Sequence, residues 1–226
     1  FKGKTNNANC LFEYIYFMNK TTTWNNINIE EVRGKYGSML SQLENESKII
    51  NNKSGYIVVG IPNSGIPSAQ IYAIKLGVKY KQLITKNKNI NRTFILNTND
   101  ERKNVANQKY IFDDEIKNSR LIIFDDSIVR GITMETLVKR LKEFGALEVH
   151  VRIASPQIKY TCEYGIDIPT RGELLMNKYD SNEDVVDYLG CDSLNFLDLD
   201  KLSECMPNFK SLCTGCFNND YKDLEW

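Results

Sequence analysis

Two adjacent carboxylates stand at the end of a predicted buried strand in the segment LIIFDDSIVRGIT. Asp125 and Asp126 follow the apolar residues 121–124, and a short loop containing Gly131 leads into an amphipathic stretch. Such a loop before a helix presents backbone N–H groups and the positive end of the helix dipole, which suits a phosphate. The carboxylates suit vicinal hydroxyls or Mg²⁺. The spacing alone also allows a capped helix with two solvated aspartates.

The cysteines are a second candidate for chemistry, and the chain has six of them. Cys213 and Cys216 form a C-x-x-C pair, a spacing more typical of a metal or redox site than of a structural disulfide. No secretion signal opens the chain, and this argues against a framework of disulfides.

Short apolar strands alternate with helical patterns along the middle of the chain. Strands are predicted at 56–60, 78–84, 121–124 and 147–154, and helices at 29–50, 67–76, 134–144 and 183–190. Residues 11–17 are predicted to be a strand or buried segment. Apolar strands connected by helices predict an α/β fold, mainly a parallel sheet with helices on both faces. Because no repeat or linker interrupts the pattern, we expect a single domain over 1–226.

Composition excludes several classes of function. Lys and Arg together number 29, as do Asp and Glu, so the chain lacks the basic excess of a general nucleic-acid binder. No stretch approaches the ~20 apolar residues of a membrane span. We therefore expect a cytoplasmic protein that binds neither nucleic acid nor membrane.

The segment LIIFDDSIVRGIT resembles the signature with which type I phosphoribosyltransferases hold phosphoribosyl pyrophosphate, and its SIVRG version is similar to that of the amidophosphoribosyltransferase family. Six further segments resemble that family in the same order: CLFEYIYF, VVGIPNSG, KNKNINRTFI, VHVRIASP, YGIDIPTRGEL and CDSLNFL. The resemblance spans essentially the whole chain and implies the type I phosphoribosyltransferase fold of the family's C-terminal domain. A glutaminase domain is then expected upstream or in trans, which fits a chain that begins at Phe1.

The resemblance implies an enzyme that forms 5-phosphoribosylamine from phosphoribosyl pyrophosphate and ammonia or glutamine, the first step of de novo purine biosynthesis. Asp125 and Asp126 would bind the ribose hydroxyls and, with Ser64, Mg²⁺. The residues implied in the 5-phosphate cradle are Ser127, Ile128, Val129, Arg130, Gly131 and Thr133. Those implied for pyrophosphate are the loop Asn63, Ser64 and Gly65 and the cations Lys86 and Arg92.

Three further features are implied by this resemblance. A mobile lid would lie within about 95–119, and the polar composition of residues 86–119 is itself typical of a functional lid. The chains would associate as a homo-oligomer. The residues implied as ligands of a structural [4Fe-4S] cluster are Cys10, Cys162, Cys213 and Cys216. Four thiolates also suit zinc, and a chance C-x-x-C pair beside buried apolar cysteines is the alternative without a metal.

Departures from the family pattern keep other functions open. Asn63 stands where the family usually has aspartate, and Ile132 where it usually has threonine. Ile132 and a lid with fewer arginines than usual favour a degenerate domain that binds nucleotides or a partner protein and regulates without catalysis. A phosphoribosyltransferase acting on a nucleobase is a third possibility, disfavoured by the cysteine pattern and the 164–174 motif. The single histidine, His150, has no partner in the sequence and is expected to be structural.

Overall fold

The computed structural model describes residues 9–47, 50, 53–87, 109–168 and 170–221. The strands in these ranges are β1 (Asn9–Cys10), β2 (Thr23–Trp24), β3 (Ile27–Asn28), β4 (Tyr56–Gly60), β5 (Lys79–Tyr80), β6 (Ile84–Lys86), β7 (Tyr110–Phe112), β8 (Arg120–Asp125), β9 (Glu148–Ile153), β10 (Ser193–Phe196) and β11 (Leu212–Cys213). The helices are α1 (Ile29–Ser47), α2 (Ile66–Leu76), α3 (Ile132–Phe144), α4 (Asn182–Leu189), α5 (Leu199–Cys205) and α6 (Gly215–Asn218).

A five-stranded parallel sheet forms the centre of the fold, in the order β10-β9-β8-β4-β5. All its pairings are parallel, and β8 lies in the middle with Ile122 opposite Val58 of β4 and His150 of β9. The strand ends that carry Gly60 and Asp125 therefore meet at the same edge of the sheet. This edge is where a ligand is expected in a fold of this kind.

Both faces of the sheet are buried, as its apolar strands require. On β8, Ile122 and Phe124 pack in the core that includes side chains of α1 and α2. The alternate residues Leu121 and Ile123 pack in a second core with α3 and α4. The α/β fold with helices on both faces is thus confirmed. Among the described residues, none forms a helix both long and apolar enough to span a membrane.

The predicted elements differ from the structure in several places. Residues 11–17 are helical, with a π-helical turn at Glu13–Phe17, so the strand alternative is wrong. The buried alternative agrees with the structure, since Leu11, Phe12, Tyr14 and Ile15 are buried. The apolar run has no periodicity that separates strand from helix. The single strand predicted at 78–84 is divided between β5 and β6, and β6 pairs antiparallel with β7. The sequence pattern also did not indicate the remaining elements, which are short or lie where the pattern becomes mixed: β1, β2, β3, β7, β10, β11, α5 and α6.

Candidate active site

The acid pair lies at the carboxyl end of β8. Asp125 is half-buried and Asp126 is buried, and the Asp126 amide donates to Asp125 Oδ1 at 2.9 Å. Burial, and then the neighbouring charge of Asp126, raise the pKa of Asp125 well above its ordinary value. Burial also raises the pKa of Asp126, although hydroxyl donors oppose that rise. Two acids held together away from water leave negative charge that a cation or hydroxyl ligand can compensate.

The loop after β4 meets this pair. Ser64 Oγ donates to Asp126 Oδ2, and Ser127 Oγ donates to the other oxygen, Oδ1, at 2.6 Å. A Cβ on Gly65 would lie 2.3 Å from the Phe124 carbonyl oxygen, so only glycine allows the loop to approach β8 this closely. The Pro62–Asn63 peptide bond is cis. Asn63 itself is exposed at the tip of the loop.

The loop 127–131 leads from the acids into α3. Gly131 adopts φ of 84° immediately before the helix, and no side chain caps that end. A Cβ there would lie 2.9 Å from Leu175 Cδ1, in addition to the strain of the left-handed conformation. The first-turn N–H groups of a helix have no intrahelical acceptor, so this end can receive an anion. Thr133 is exposed in that turn and Ile132 is half-buried.

The segment at 171–177 braces this loop from outside. The Leu175 amide donates to the Val129 carbonyl at 2.9 Å, while Ile128 is buried in the core. Arg130 Nε pairs with Glu173 Oε2 at 3.1 Å. The Arg130 side chain is therefore bound to the 171–177 segment. Residues 128–131 can then contact an anion through their backbone N–H groups.

A hairpin brings cations to the acids. Lys86 of β6 lies opposite Tyr110 of β7, and the Asn87 amide donates to the Lys109 carbonyl at 2.9 Å. Burial lowers the pKa of Lys109, and the charge of Asp125 opposes this. Sequence reasoning missed Lys109, because only the antiparallel register of β6 and β7 places it beside Lys86 and the acids. Arg92, and residues 95–108 of the predicted lid, lie outside the described residues.

Comparison with known proteins agrees with this geometry. The family model for the phosphoribosyl transferase domain matches residues 25–157, which include the acids and both loops. The chain belongs to the phosphoribosyltransferase family.

Relatives of this phosphoribosyltransferase domain are amidophosphoribosyltransferases. It is 36% identical over 219 residues to that of Methanothermobacter thermautotrophicus, covering 96% of this chain and 44% of the relative. It is 39% identical over 224 residues to that of Pyrococcus horikoshii, covering 99% and 47%. The solved glutamine phosphoribosylpyrophosphate amidotransferase of B. subtilis, complexed with ADP and GMP, superposes with a TM-score of 0.80 at 34% identity, covering 95% of this chain and 47% of that one. The resemblance read from the sequence is confirmed, and the chain spans just under half the length of these relatives.

Four cysteines of the phosphoribosyltransferase domain converge at its chain ends. Cys10 of β1 lies in register with Cys213 of β11, and charges on Cys213 and Cys162 both act on it. Burial and then the charges of Cys10, Cys162 and Cys213 raise the pKa of Cys216. Burial raises the pKa of Cys10 to about 11 and that of Cys216 further. Within the described parts of the chain, no group of three or more His, Cys, Asp or Glu is arranged to hold a single metal ion.

Proposed function

We propose that this domain forms 5-phosphoribosylamine and pyrophosphate from phosphoribosyl pyrophosphate and ammonia. The observation that carries the proposal is the contact of Ser64 with Asp126, which joins the loop after β4 to an acid pair beside an uncapped helix. The relatives at 36–39% identity bear the name of this activity. In them the domain is one part of a longer chain, so the ammonia would come from glutamine through a glutaminase domain upstream or in trans.

Each part of the substrate has a matching group in this edge of the sheet. The N–H groups and hydroxyls of residues 127–133 would receive the 5-phosphate. Asp125 and Asp126 would accept hydrogen bonds from the ribose hydroxyls. Asn63, Ser64 and Gly65 would contact pyrophosphate through the loop, with Lys86 and Lys109 supplying positive charge. Arg92 is proposed for the same role from the sequence alone.

The reaction breaks the bond between C1 of the ribose and pyrophosphate, while the nitrogen of ammonia forms a bond to C1 and loses a proton. Positive charge develops on the sugar and negative charge on the leaving group. The two carboxylates face the first charge, and the lysines face the second. The nucleophile is ammonia, so the reaction requires no nucleophilic side chain.

The oxygen donors of the site fit Mg²⁺, which the resemblance implies. Asp125, Asp126 and Ser64 offer carboxylate and hydroxyl oxygens, the ligands that Mg²⁺ prefers. The raised pKa of Asp125 marks negative charge that a divalent ion would compensate. Bound there, Mg²⁺ would stabilise the charge of pyrophosphate as it leaves. Its affinity should fall when either acid loses its charge.

For the cysteines we propose a structural [4Fe-4S] cluster held by Cys10, Cys162, Cys213 and Cys216. The four thiols support it because they lie close enough for the charge of one to raise the pKa of another. A zinc ion requires sulfur atoms about 3.8 Å apart, from Zn–S bonds of about 2.3 Å in a tetrahedron. A four-iron cluster is larger and accepts thiols further apart, so the separation of the four sulfur atoms decides between the two metals.

Anaerobic purification tests the cluster. The protein should be brown, with iron and sulfide each near four per chain, as expected for this cluster type. Cys213→Ser should lose the colour, whereas Cys191→Ser, at a buried cysteine outside the set, should keep it. Colourless wild-type protein with stoichiometric zinc would favour zinc instead.

One assay tests the reaction. The domain is incubated with phosphoribosyl pyrophosphate, Mg²⁺ and an ammonium salt, and pyrophosphate release is measured. Release should occur in the wild type and in Asp187→Asn, an exposed position on α4, and should be lost in Asp126→Asn. Tight Mg²⁺-dependent binding of the substrate without release would favour the degenerate regulatory domain that Ile132 and the altered lid suggest. Release only with a free nucleobase would favour the third function.

The assembly and cellular setting are also proposals. We propose a homo-oligomer, because the resemblance implies one, and size-exclusion chromatography with light scattering tests it directly. We propose a cytoplasmic setting. All six cysteines lie among the described residues and form no disulfide with one another, as is usual in reducing compartments.

A further inference from the structure

Arg33 is a buried charged residue that the proposed reaction does not use. It lies in the second turn of α1 with 3% of its surface exposed. Its Nε donates to the Tyr14 carbonyl and its Nη2 to the Met18 carbonyl, both at 2.9 Å. These two carbonyls lie near the two ends of the π-helical turn Glu13–Phe17. One guanidinium thus holds both ends of that turn.

The backbone around Arg33 is fixed as well. Ser68 Oγ of α2 donates to the Arg33 carbonyl at 2.8 Å in the buried contact between the two helices. Helix α2 begins at Ile66, directly after the loop that carries Ser64. Arg33 therefore joins three elements: the turn, α1, and the helix that follows the pyrophosphate loop.

The turn held by Arg33 presents two half-exposed aromatic side chains, Tyr16 and Phe17. Tyr16 lies within it, and its pKa is raised by burial and then by the charges of Asp126 and Asp125. The Tyr16 ring packs on Phe12 and Phe17 with centroids 5.9 and 5.0 Å away. The charge of Asp126 also acts on Arg33. No ion pair joins these two side chains among the contacts of the described residues, so Arg33 bonds the turn and leaves Asp126 available.

We propose that Arg33 is a positioning residue, which clamps the Glu13–Phe17 turn through the Tyr14 and Met18 carbonyls and so fixes Tyr16 relative to α1 and to α2, the helix that follows the Ser64 loop. This inference rests on the proposed function for its kinetic consequences, but the clamp itself does not. The fork of a guanidinium spans two acceptors, whereas the single ammonium of lysine binds as a point. Arg33→Lys therefore keeps the charge and loses one of the two bonds.

Kinetics of Arg33→Met and Arg33→Lys test the clamp, with Glu44→Gln as the matched control. Glu44 is also a buried charged residue of α1, but it bonds Tyr72 and Arg152, away from the turn. Displacement of a positioned group costs up to about 100-fold, so kcat/KM should fall roughly 10- to 100-fold in Arg33→Met and less in Arg33→Lys. Glu44→Gln should stay within about threefold of the wild type at a temperature where it is folded.

A double-mutant cycle asks whether Arg33 acts through Tyr16. Tyr16→Ala should lower kcat/KM in the wild type and in Glu44→Gln by the same factor. In Arg33→Met, where the turn is already released, it should change kcat/KM by less than about twofold. Equal factors in all three backgrounds would overturn the proposal, as would an Arg33→Met variant no slower than Glu44→Gln.

Amide exchange separates the clamp from the reaction. In the wild type the amides of residues 11–18 should exchange slowly, and in Arg33→Lys they should exchange about tenfold faster, with β8 unchanged. Unchanged exchange at 11–18 would overturn the clamp even if Arg33→Met fails to fold. If the wild type releases no pyrophosphate, the proposed function fails, and the exchange result still decides the geometry.

Discussion

At the carboxyl end of β8, Asp125 and Asp126 place two like charges side by side. Inside the face covered by α1, Glu44 and Arg152 instead form an ion pair at 2.5 Å, with 1% and 0% of their side chains exposed. Tyr72 donates to the same Glu44 oxygen at 2.9 Å, and Ser193 accepts from Arg152 at 2.9 Å. The inner charges form an ion pair, although Glu44 Oε1 and Arg152 Nη2 have no hydrogen-bond partner among the described residues. No ion pair within the described parts of the chain involves the two outer carboxylates. Charge left uncompensated at a strand end therefore marks the site better than buried charge alone.

The largest effect is expected from breaking the inner pair. Arg152→Met leaves the Glu44 carboxylate buried without its cation, which should lower the free energy of unfolding by about 3–5 kcal/mol in urea denaturation. The double variant Arg152→Met/Glu44→Leu removes both charges and should recover most of that loss. If the free energy of unfolding of Arg152→Met falls by less than about 1 kcal/mol, the inner pair does not stabilise the fold and the contrast with the acid pair fails.

Removing one of the outer charges should have the opposite effect on stability. Asp125→Asn relieves a carboxylate whose ionised form is disfavoured by burial and by Asp126, so the free energy of unfolding at neutral pH should rise by on the order of 1 kcal/mol. Pyrophosphate release should fall roughly 100-fold, as for loss of a group that faces developing charge. Thermal unfolding and initial rates of the same preparation measure both.

Asp187→Asn is the control for this variant, since it neutralises an exposed aspartate on α4. It should leave both the rate and the stability nearly unchanged. If Asp125→Asn instead destabilises the fold as Arg152→Met does, the acid pair is a structural element and the comparison fails.

The two regions should also respond to pH in opposite directions. His150 bonds Ser193 at 2.8 Å beside the inner pair, and burial lowers its pKa below the ordinary 6.5. As the pH falls, His150 therefore binds a proton in the unfolded chain at a higher pH than in the folded chain. The free energy of unfolding consequently decreases as the pH falls below the ordinary pKa of 6.5. The raised pKa of Asp125 means that the folded state gains stability as pH falls towards the ordinary 3.8.

Difference curves isolate these contributions. Between about pH 8 and about pH 5, the wild type should lose roughly 1 kcal/mol more unfolding free energy than His150→Gln. Relative to Asp125→Asn, it should gain stability over the lower part of the range. Two difference curves with the same sign would contradict the assigned pKa directions.

Local pattern was enough to predict the central part of this molecule. The apolar strand, the acids and the glycine loop at 121–133 lie within one short segment, so their juxtaposition needs no knowledge of tertiary contacts. Lys109 could not be found in this way, because its place depends on the pairing of β6 with β7. The Glu44–Arg152 pair joins residues 108 positions apart, so no local periodic pattern predicts it. The run 11–17 became helical because tertiary packing decides between strand and helix for a short apolar segment.

The smallest effect is expected at the brace of the phosphate loop. Arg130 and Glu173 have side-chain exposures of 30% and 46%, so Arg130→Gln should lower the unfolding free energy by less than about 1 kcal/mol. The KM for phosphoribosyl pyrophosphate should rise about two- to fivefold at constant kcat, the factor that 0.2–1 kcal/mol of an exposed pair corresponds to. Lys139→Gln, which breaks the exposed pair with Glu143 on α3, should leave KM unchanged. An unaltered KM in Arg130→Gln would mean that the Leu175–Val129 hydrogen bond alone holds the loop, because that backbone contact survives both substitutions.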